Sequence, residues 1–167
     1  MAYVIPRLEV ELKDIINTRL EATRILSELI KARGKRSDAY VIRDILPKTD
    51  LGLANEEWKI TYTNAYTWEA KIDKTLEDDK FIVIYGVQGK QGVTPKTLAV
   101  KFYKDITPVD VVQIENIFAY REPIGFFTPI SWSESERIKV EFYGNASGDD
   151  IIVFRGFVAE LRKKTIA

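Results

Sequence analysis

The chain has 167 residues, 46% of them hydrophobic, with 25 Lys+Arg against 25 Asp+Glu, and it contains neither histidine nor cysteine. Those two absences exclude His-based triads, cysteine nucleophiles, His/Cys zinc centres, c-type haem, Fe–S clusters and any disulfide framework. The balanced charge carries no nucleic-acid footprint, and the length suffices for one domain with an appendage.

No apolar run is long enough to cross a membrane, and charged residues from Arg7 onward leave no room for a signal peptide, so the mature chain is expected to start at Met1 with no membrane association. The single methionine and the Lys/Glu/Ile-rich composition point toward a thermophile that avoids oxidisable residues. What remains for chemistry is carboxylate, lysine, tyrosine and hydroxyl, and the expectation is a binding or structural role rather than an enzyme. No cofactor and no metal are expected.

From residue 7 to 33, apolar residues recur at three- and four-residue steps between Glu, Lys, Asp and Arg, which is the stripe of an amphipathic helix. Pro6 suits a first turn, Gly34 a C-terminal stop, and Lys31 and Arg33 oppose the dipole in the last turn. Leu8, Val10 and Leu12 also alternate with Glu9 and Glu11, so residues 3–12 read equally as an extended arm, and the helix is firm from Lys13. Residues 1–36 thus form an N-terminal arm and helix, and residues 37–167 a second unit. A helix of this length spans about 40 Å, whereas strands of five or six residues run only about 20 Å. The helix should therefore overhang, leaving Leu8, Leu12, Ile15, Ile16 and Leu20 for a neighbouring subunit.

After Ser37 the period becomes two. Trp58, Ile60 and Tyr62 alternate with Lys59, Thr61 and Thr63; beyond a turn at Asn64-Ala65, Tyr66, Trp68, Ala70 and Ile72 repeat the pattern, which predicts a hairpin with one buried face. Residues 81–87 are apolar on both faces and predict a central strand ending at Gly86, Gly89 and Gly92. Further strands are expected over 39–46, 97–104, 109–120, 137–143 and 150–161, the last two joined through the Gly144-to-Gly148 turn. About eight strands with short Gly- and Pro-containing connections, and no helices between them, predict a mainly β fold: an antiparallel β-sandwich or jelly-roll with an N-terminal α-helix.

Several clusters could carry chemistry, and each has a plainer reading. Gly86, Gly89, Gly92 and Lys90 match no phosphate-binding motif and read as a hairpin loop. Lys31, Arg33, Lys35 and Arg36 form a weak basic patch of the kind a helix C-terminus carries anyway, so nucleic acid is an improbable partner. Glu77, Asp78, Asp79, Asp149, Asp150 and Asn145 could meet around calcium only if their loops share one end of the sandwich; ordinary polar turns are the favoured reading.

Trp58, Tyr66 and Trp68 could instead form a flat sugar-binding platform, although aromatics alternating with aliphatics more often belong to a core. Residues 121–132 (R-E-P-I-G-F-F-T-P-I-S-W) fit neither period and read as an apolar loop. Its Pro123, Phe126, Phe127, Pro129 and Trp132 should be covered by a partner.

This layout, a helix or arm followed by about eight antiparallel strands in a small neutral chain without His or Cys, resembles the single jelly-roll and related sandwich proteins that build virus and phage particles as capsid, decoration or head-fibre subunits. The run from Ile138 to Glu160, I-K-V-E-F-Y-G-N-A-S-G-D-D-I-I-V-F-R-G-F-V-A-E, looks like the closing hairpin of such domains. The resemblance implies a non-enzymatic structural subunit of a virion, assembled in the host cytoplasm, whose partners are copies of itself and other virion proteins. The alternative is a carbohydrate-binding β-sandwich module. Because the likeness is one of fold, it transfers no functional residue.

Overall fold

A computed structural model of the chain describes residues 4–90, 93–114 and 125–163; within these spans the side chains of residues 4–12, 125 and 126 are not described. Helix α1 runs over Val4–Ala32 and is followed by a single 3-10 turn at Ser37–Ala39. Strands β1 (Tyr40–Asp44), β2 (Lys59–Tyr62), β3 (Trp68–Thr75), β4 (Lys80–Gly89), β5 (Thr97–Lys104), β6 (Thr107–Gln113), β7 (Gly125–Trp132), β8 (Arg137–Gly144) and β9 (Gly148–Leu161) follow, with a short helix α2 (Pro47–Leu51) after β1. The helix therefore extends back through residues that the alternation also allowed as an extended arm. Among the described residues the fold is a β-sandwich with an N-terminal helix, as expected.

One sheet has the order β1-β9-β4-β7, with β2 also on β9, and the other the order β3-β8-β5-β6. Strand β9 is long enough to hold two partners on one edge: Ile151 back to Gly148 pair with β2, and Phe157 to Leu161 with β1. The pairs β1/β9, β3/β8, β4/β7 and β5/β6 are all antiparallel. The chain thus doubles back at the Asp105-Ile106 turn into a two-stranded ribbon whose successive pairs fall alternately in the two sheets.

That winding corrects two expectations. Strands β2 and β3 do not form a hairpin: β2 joins β9 in the first sheet and β3 joins β8 in the second. Likewise β8 and β9 lie in different sheets, so residues 144–148 arch across the sandwich instead of closing a hairpin. Alternation specifies which face a strand buries but not which strand it pairs with. Two further elements differ. Gly86 and Gly89 lie within β4, not in a loop, and the expected strand over 109–120 is found as Thr107–Gln113, with residues 115–124 outside the described residues.

Strand β4 is buried on both faces, for two different reasons. Ile82, Ile84 and Val87 point into the sandwich with Phe102, Val140, Phe142, Phe154 and Trp132. Phe81, Val83 and Tyr85 point outward with Phe157 and Ala159 of β9, and there Ala22, Leu26 and Ile30 of α1 cover them. The four-residue step from Ala22 to Leu26 to Ile30 places all three on one helix face, and each large side chain so buried contributes about 2 kcal/mol.

The alternation of β4 shifts phase between Ile84 and Gly86, where the register with β9 slips by one residue. Opposite this bulge, Gly156 admits no side chain: a Cβ there would lie 2.1 Å from the carbonyl oxygen of Val83 and 2.8 Å from Cδ1 of Ile45. The helix ends at Gly34, with φ of 71°, and the Lys35 N–H returns to the Ile30 carbonyl at 3.2 Å. This is the left-handed stop that glycine provides.

The two glycines separate packing from backbone conformation. Gly156→Ala should lower the unfolding free energy by at least about 3 kcal/mol, the upper end of overpacking costs. Gly34→Ala has open space around it and should cost only about 1 kcal/mol, the price of a left-handed alanine. Urea unfolding at pH 7 measures both; equal losses would contradict the packing account of the bulge.

Candidate functional site

The polar clusters of the described residues bind elements of the fold to one another. Asp50 on α2 is fully buried. It accepts from Arg43 at 2.7 and 2.9 Å, from the Leu46 N–H at 2.6 Å and from Lys80 at 3.3 Å, while Arg43 also reaches Glu160 at 2.8 Å. Burial pushes the Asp50 carboxyl upward, but Arg43, the Leu46 amide and Lys80 outweigh it and hold the group below its usual range. Two cations and two carboxylates thus fasten α2 to β1, β4 and β9.

A second cluster anchors the end of the helix. Lys35 bridges Asp79 at 2.7 Å and Glu134 at 2.5 Å, the Tyr40 hydroxyl donates to Asp79 at 2.7 Å, and Arg33 donates to Ser133 at 2.9 Å. Burial, with Asp79 beside it, pushes the Tyr40 hydroxyl up to about 12. A third group, at the opposite end of the sandwich, joins Tyr62 to Thr97 at 2.6 Å and Thr97 to Asp150 at 2.7 Å.

The two acidic stretches stay apart. Asp79 precedes Lys80, which pairs with Glu160 near the end of β9, whereas Asp149 and Asp150 lie at its start. Among the described residues no group of three acidic side chains could hold a metal ion. The basic patch is also largely occupied: Arg33 and Lys35 are engaged as above, Arg36 pairs with Asp38 at 2.7 Å, and Lys31 stands exposed on the last turn.

The helix divides at Ala22. C-terminal to it, the stripe lies against the protein's own sheet. N-terminal to it, Arg19 sets its guanidinium over the Phe157 ring at 5.3 Å and Ile15 is half-buried. Ile16 and Leu20, one turn apart, are 56% and 63% exposed. Leu8 and Leu12 lie on the same helix, but their side chains are outside the described residues. The helix is about 44 Å long, against about 33 Å for β4 and about 46 Å for β9.

The expected interface loop over 121–132 is corrected. Its second half is β7, paired with β4 from Gly125 to Trp132. Trp132 is fully buried in its own chain, donating its indole N–H to the Tyr103 carbonyl at 2.9 Å, and Phe127 packs on Phe102 at 5.6 Å between ring centroids. Pro129 is half-buried. The absence of alternation reflects a strand interrupted by proline and covered by both sandwich and helix, which hides the period. Pro123 and the Phe126 side chain lie outside the described residues.

The three aromatics of the alternative platform separate. Trp58 turns inward, edge-on to Phe154 at 5.8 Å. Tyr66 and Trp68 gather on the outer face of the second sheet around Tyr143, a ring that the sequence reading missed; its signal was its place in the outward series Arg137, Lys139, Glu141, Tyr143. Trp68 and Tyr143 are cross-strand partners with ring centroids 5.1 Å apart and planes tilted by 40°. Tyr66 lies 6.3 Å from Tyr143 at 60°, and Lys101 places its ammonium 4.5 Å over the Trp68 ring. The rings therefore form a staggered row, not a flat plane.

On the same sheet, Val109 and Val111 are exposed along the terminal strand β6, and Ile106 in the turn before it. The backbone of that strand is nonetheless guarded. Pro108 has no N–H, and the Asp110 carboxylate takes the Val111 N–H at 2.8 Å, two devices that discourage strand-to-strand addition.

Acid should act through the clusters described above. Asp50, Glu134 and Asp73, the last paired with Arg137 at 2.6 Å, all sit below their ordinary values of 3.8, 4.5 and 3.8. The unfolded chain therefore binds more protons than the folded one in acid, and the stability these groups supply is complete above about pH 5 and lost as pH falls through the depressed folded values. With no histidine, no ordinary side chain titrates between pH 5 and 8. Urea midpoints should be flat over that range and fall below about pH 4, and Asp50→Ala should cost about 3–5 kcal/mol at pH 7. A midpoint that drifts steadily from pH 8 to 5 would contradict this account.

No protein-family model matches the chain, and no curated protein is significantly similar to it.

Proposed function

We propose that the protein is a non-enzymatic structural subunit of a virus or phage particle, assembled in the host cytoplasm through contacts with copies of itself and with other virion proteins. The observation that carries this reading is the divided helix: a 29-residue element that uses its C-terminal half to cover its own sheet and leaves Ile16 and Leu20 exposed beyond it. Exposed large aliphatics on a rigid helix mark an interaction surface. The winding of the sandwich supports the same reading. A ribbon of successive antiparallel pairs rolled into two sheets is a jelly-roll arrangement, an architecture used by viral capsid and lectin domains, and that support is analogy at the level of fold.

The sheet edge at β6 is guarded by Pro108 and Asp110, so the helix is the better candidate for the docking element, with side chains rather than strand addition making the contact. Size-exclusion chromatography with light scattering should find the full chain in oligomers at high concentration. Ile16→Glu with Leu20→Glu should return it to monomers, with circular dichroism and urea midpoint within about 0.5 kcal/mol of the parent, as exposed substitutions are. A parent chain that stays monomeric at every concentration and with every virion protein of its source would overturn the assignment, as would a double variant that assembles normally.

A further inference from the structure

We infer that the staggered aromatic row Tyr66–Tyr143–Trp68 is a binding site for a neutral, soluble oligosaccharide. This goes beyond the assembly reading and does not rest on it. The starting observation is the backbone at Tyr66. Its φ is 54°, the left-handed region, which is unfavourable for a residue with a Cβ. The conformation is held by the Tyr66 N–H donating to the Gly144 carbonyl at 2.7 Å, and it leaves the ring 64% exposed. Backbone strain that displays an aromatic ring, when a glycine or asparagine would turn the chain freely, is strain that serves something other than folding.

The chemistry around the ring selects the ligand. Tyr66 offers an open face, continued by Tyr143 and by the half-buried Trp68, whose own face carries the Lys101 ammonium. The π face of such rings is electron-rich, and the C–H-rich face of a pyranose is its flat, weakly positive counterpart. Beside the rings stand both donors and acceptors of hydrogen bonds. Glu141, two residues before Tyr143 and opposite Lys101 on β5, stands 3.6 Å from Lys139.

Cations and carboxylates are interspersed there. A polyanion would meet Glu141, and an aliphatic chain would strip water from Lys101 and Lys139 with nothing in return. A ligand that is uncharged, rich in hydroxyls and flat on one face suits the surface. Rings tilted by 40° and 60° cannot lie together on a flat crystalline polysaccharide, so a free chain able to twist from ring to ring is the form that fits. Helix α1 covers the other sheet, which leaves this face open to a ligand among the described residues.

The test uses the full chain and a panel of maltohexaose, cellohexaose and N-acetylchitohexaose, followed by isothermal titration and by tryptophan fluorescence. At least one of the three should bind with a dissociation constant at or below about 1 mM, with a change in emission from Trp68. Tyr66→Gly and Trp68→Ala should each weaken that binding tenfold or more, while Val109→Ser on β6 leaves it unchanged. Tyr66→Gly accepts the positive φ without strain, so its urea midpoint should equal or exceed the parent's, which separates lost binding from lost folding. Absence of binding to every member of the panel at about 10 mM would overturn the inference. So would retention of affinity in both aromatic variants, or a loss of self-association in them without any saccharide binding, which would give the patch to a protein partner.

Discussion

The architecture depends on one constraint: the pair β4/β9 is apolar on both of its faces. Ile82, Ile84 and Val158 require cover on one side, and Phe81, Val83, Phe157 and Ala159 on the other. A second sheet supplies the first cover and helix α1 the second. Since the helix is committed to the first sheet, the outer face of the second sheet is left to long charged and aromatic side chains. Since the helix continues N-terminal to the residues that cover the sheet, Ile16 and Leu20 of its stripe stay exposed. Both candidate surfaces of the molecule are thus consequences of where the two-faced strand pair found its cover.

The polar clusters make this arrangement specific. Apolar burial would tolerate α1 at several angles across β4, but Lys35 held between Asp79 and Glu134, and Arg33 on Ser133, anchor its C-terminal end to the connections on either side. Asp50, with Arg43, Lys80 and Glu160, does the same for the segment between β1 and β2. Buried ion pairs add little net stability when they form, because desolvation offsets their attraction, yet they are costly to break singly. They select one packing among several of similar hydrophobic energy. In a chain without disulfides they are also the strongest local restraints available.

Gly156 and the register slip beside it show how closely the two faces of β4 are coupled. The slip moves Val87 into the sandwich core while Tyr85 stays under the helix. Without it the alternation would carry an apolar side chain to the wrong side beyond Ile84. The glycine opposite lets the two backbones approach where the extra residue is absorbed.

Much of this is legible in the sequence. The 3.6-residue stripe marked α1 and Gly34 its stop; alternation marked Ile60 and Tyr62 as core; the unbroken apolar run at 81–87 marked a strand covered on both sides. These signals are local, because they follow from the period of each element and from backbone freedom at a single residue. The partner of each strand was not legible. The apparent hairpins at 58–72 and 137–161 each have their two strands in opposite sheets, because period two states only which face is buried, and the choice of neighbour is made by the whole ribbon as it rolls up. For the same reason Trp132 looked like part of an exposed loop and is core, with the half-buried Phe127 packed against it, and Trp58 left the aromatic row that Tyr143 entered. The sequence by itself determined the class of fold, the helix with its surplus stripe and the chemistry that is impossible without histidine or cysteine. Only the tertiary structure decided which aromatics share a surface and which half of the helix is free, since both depend on residues distant in the chain competing to cover the same buried pair of strands.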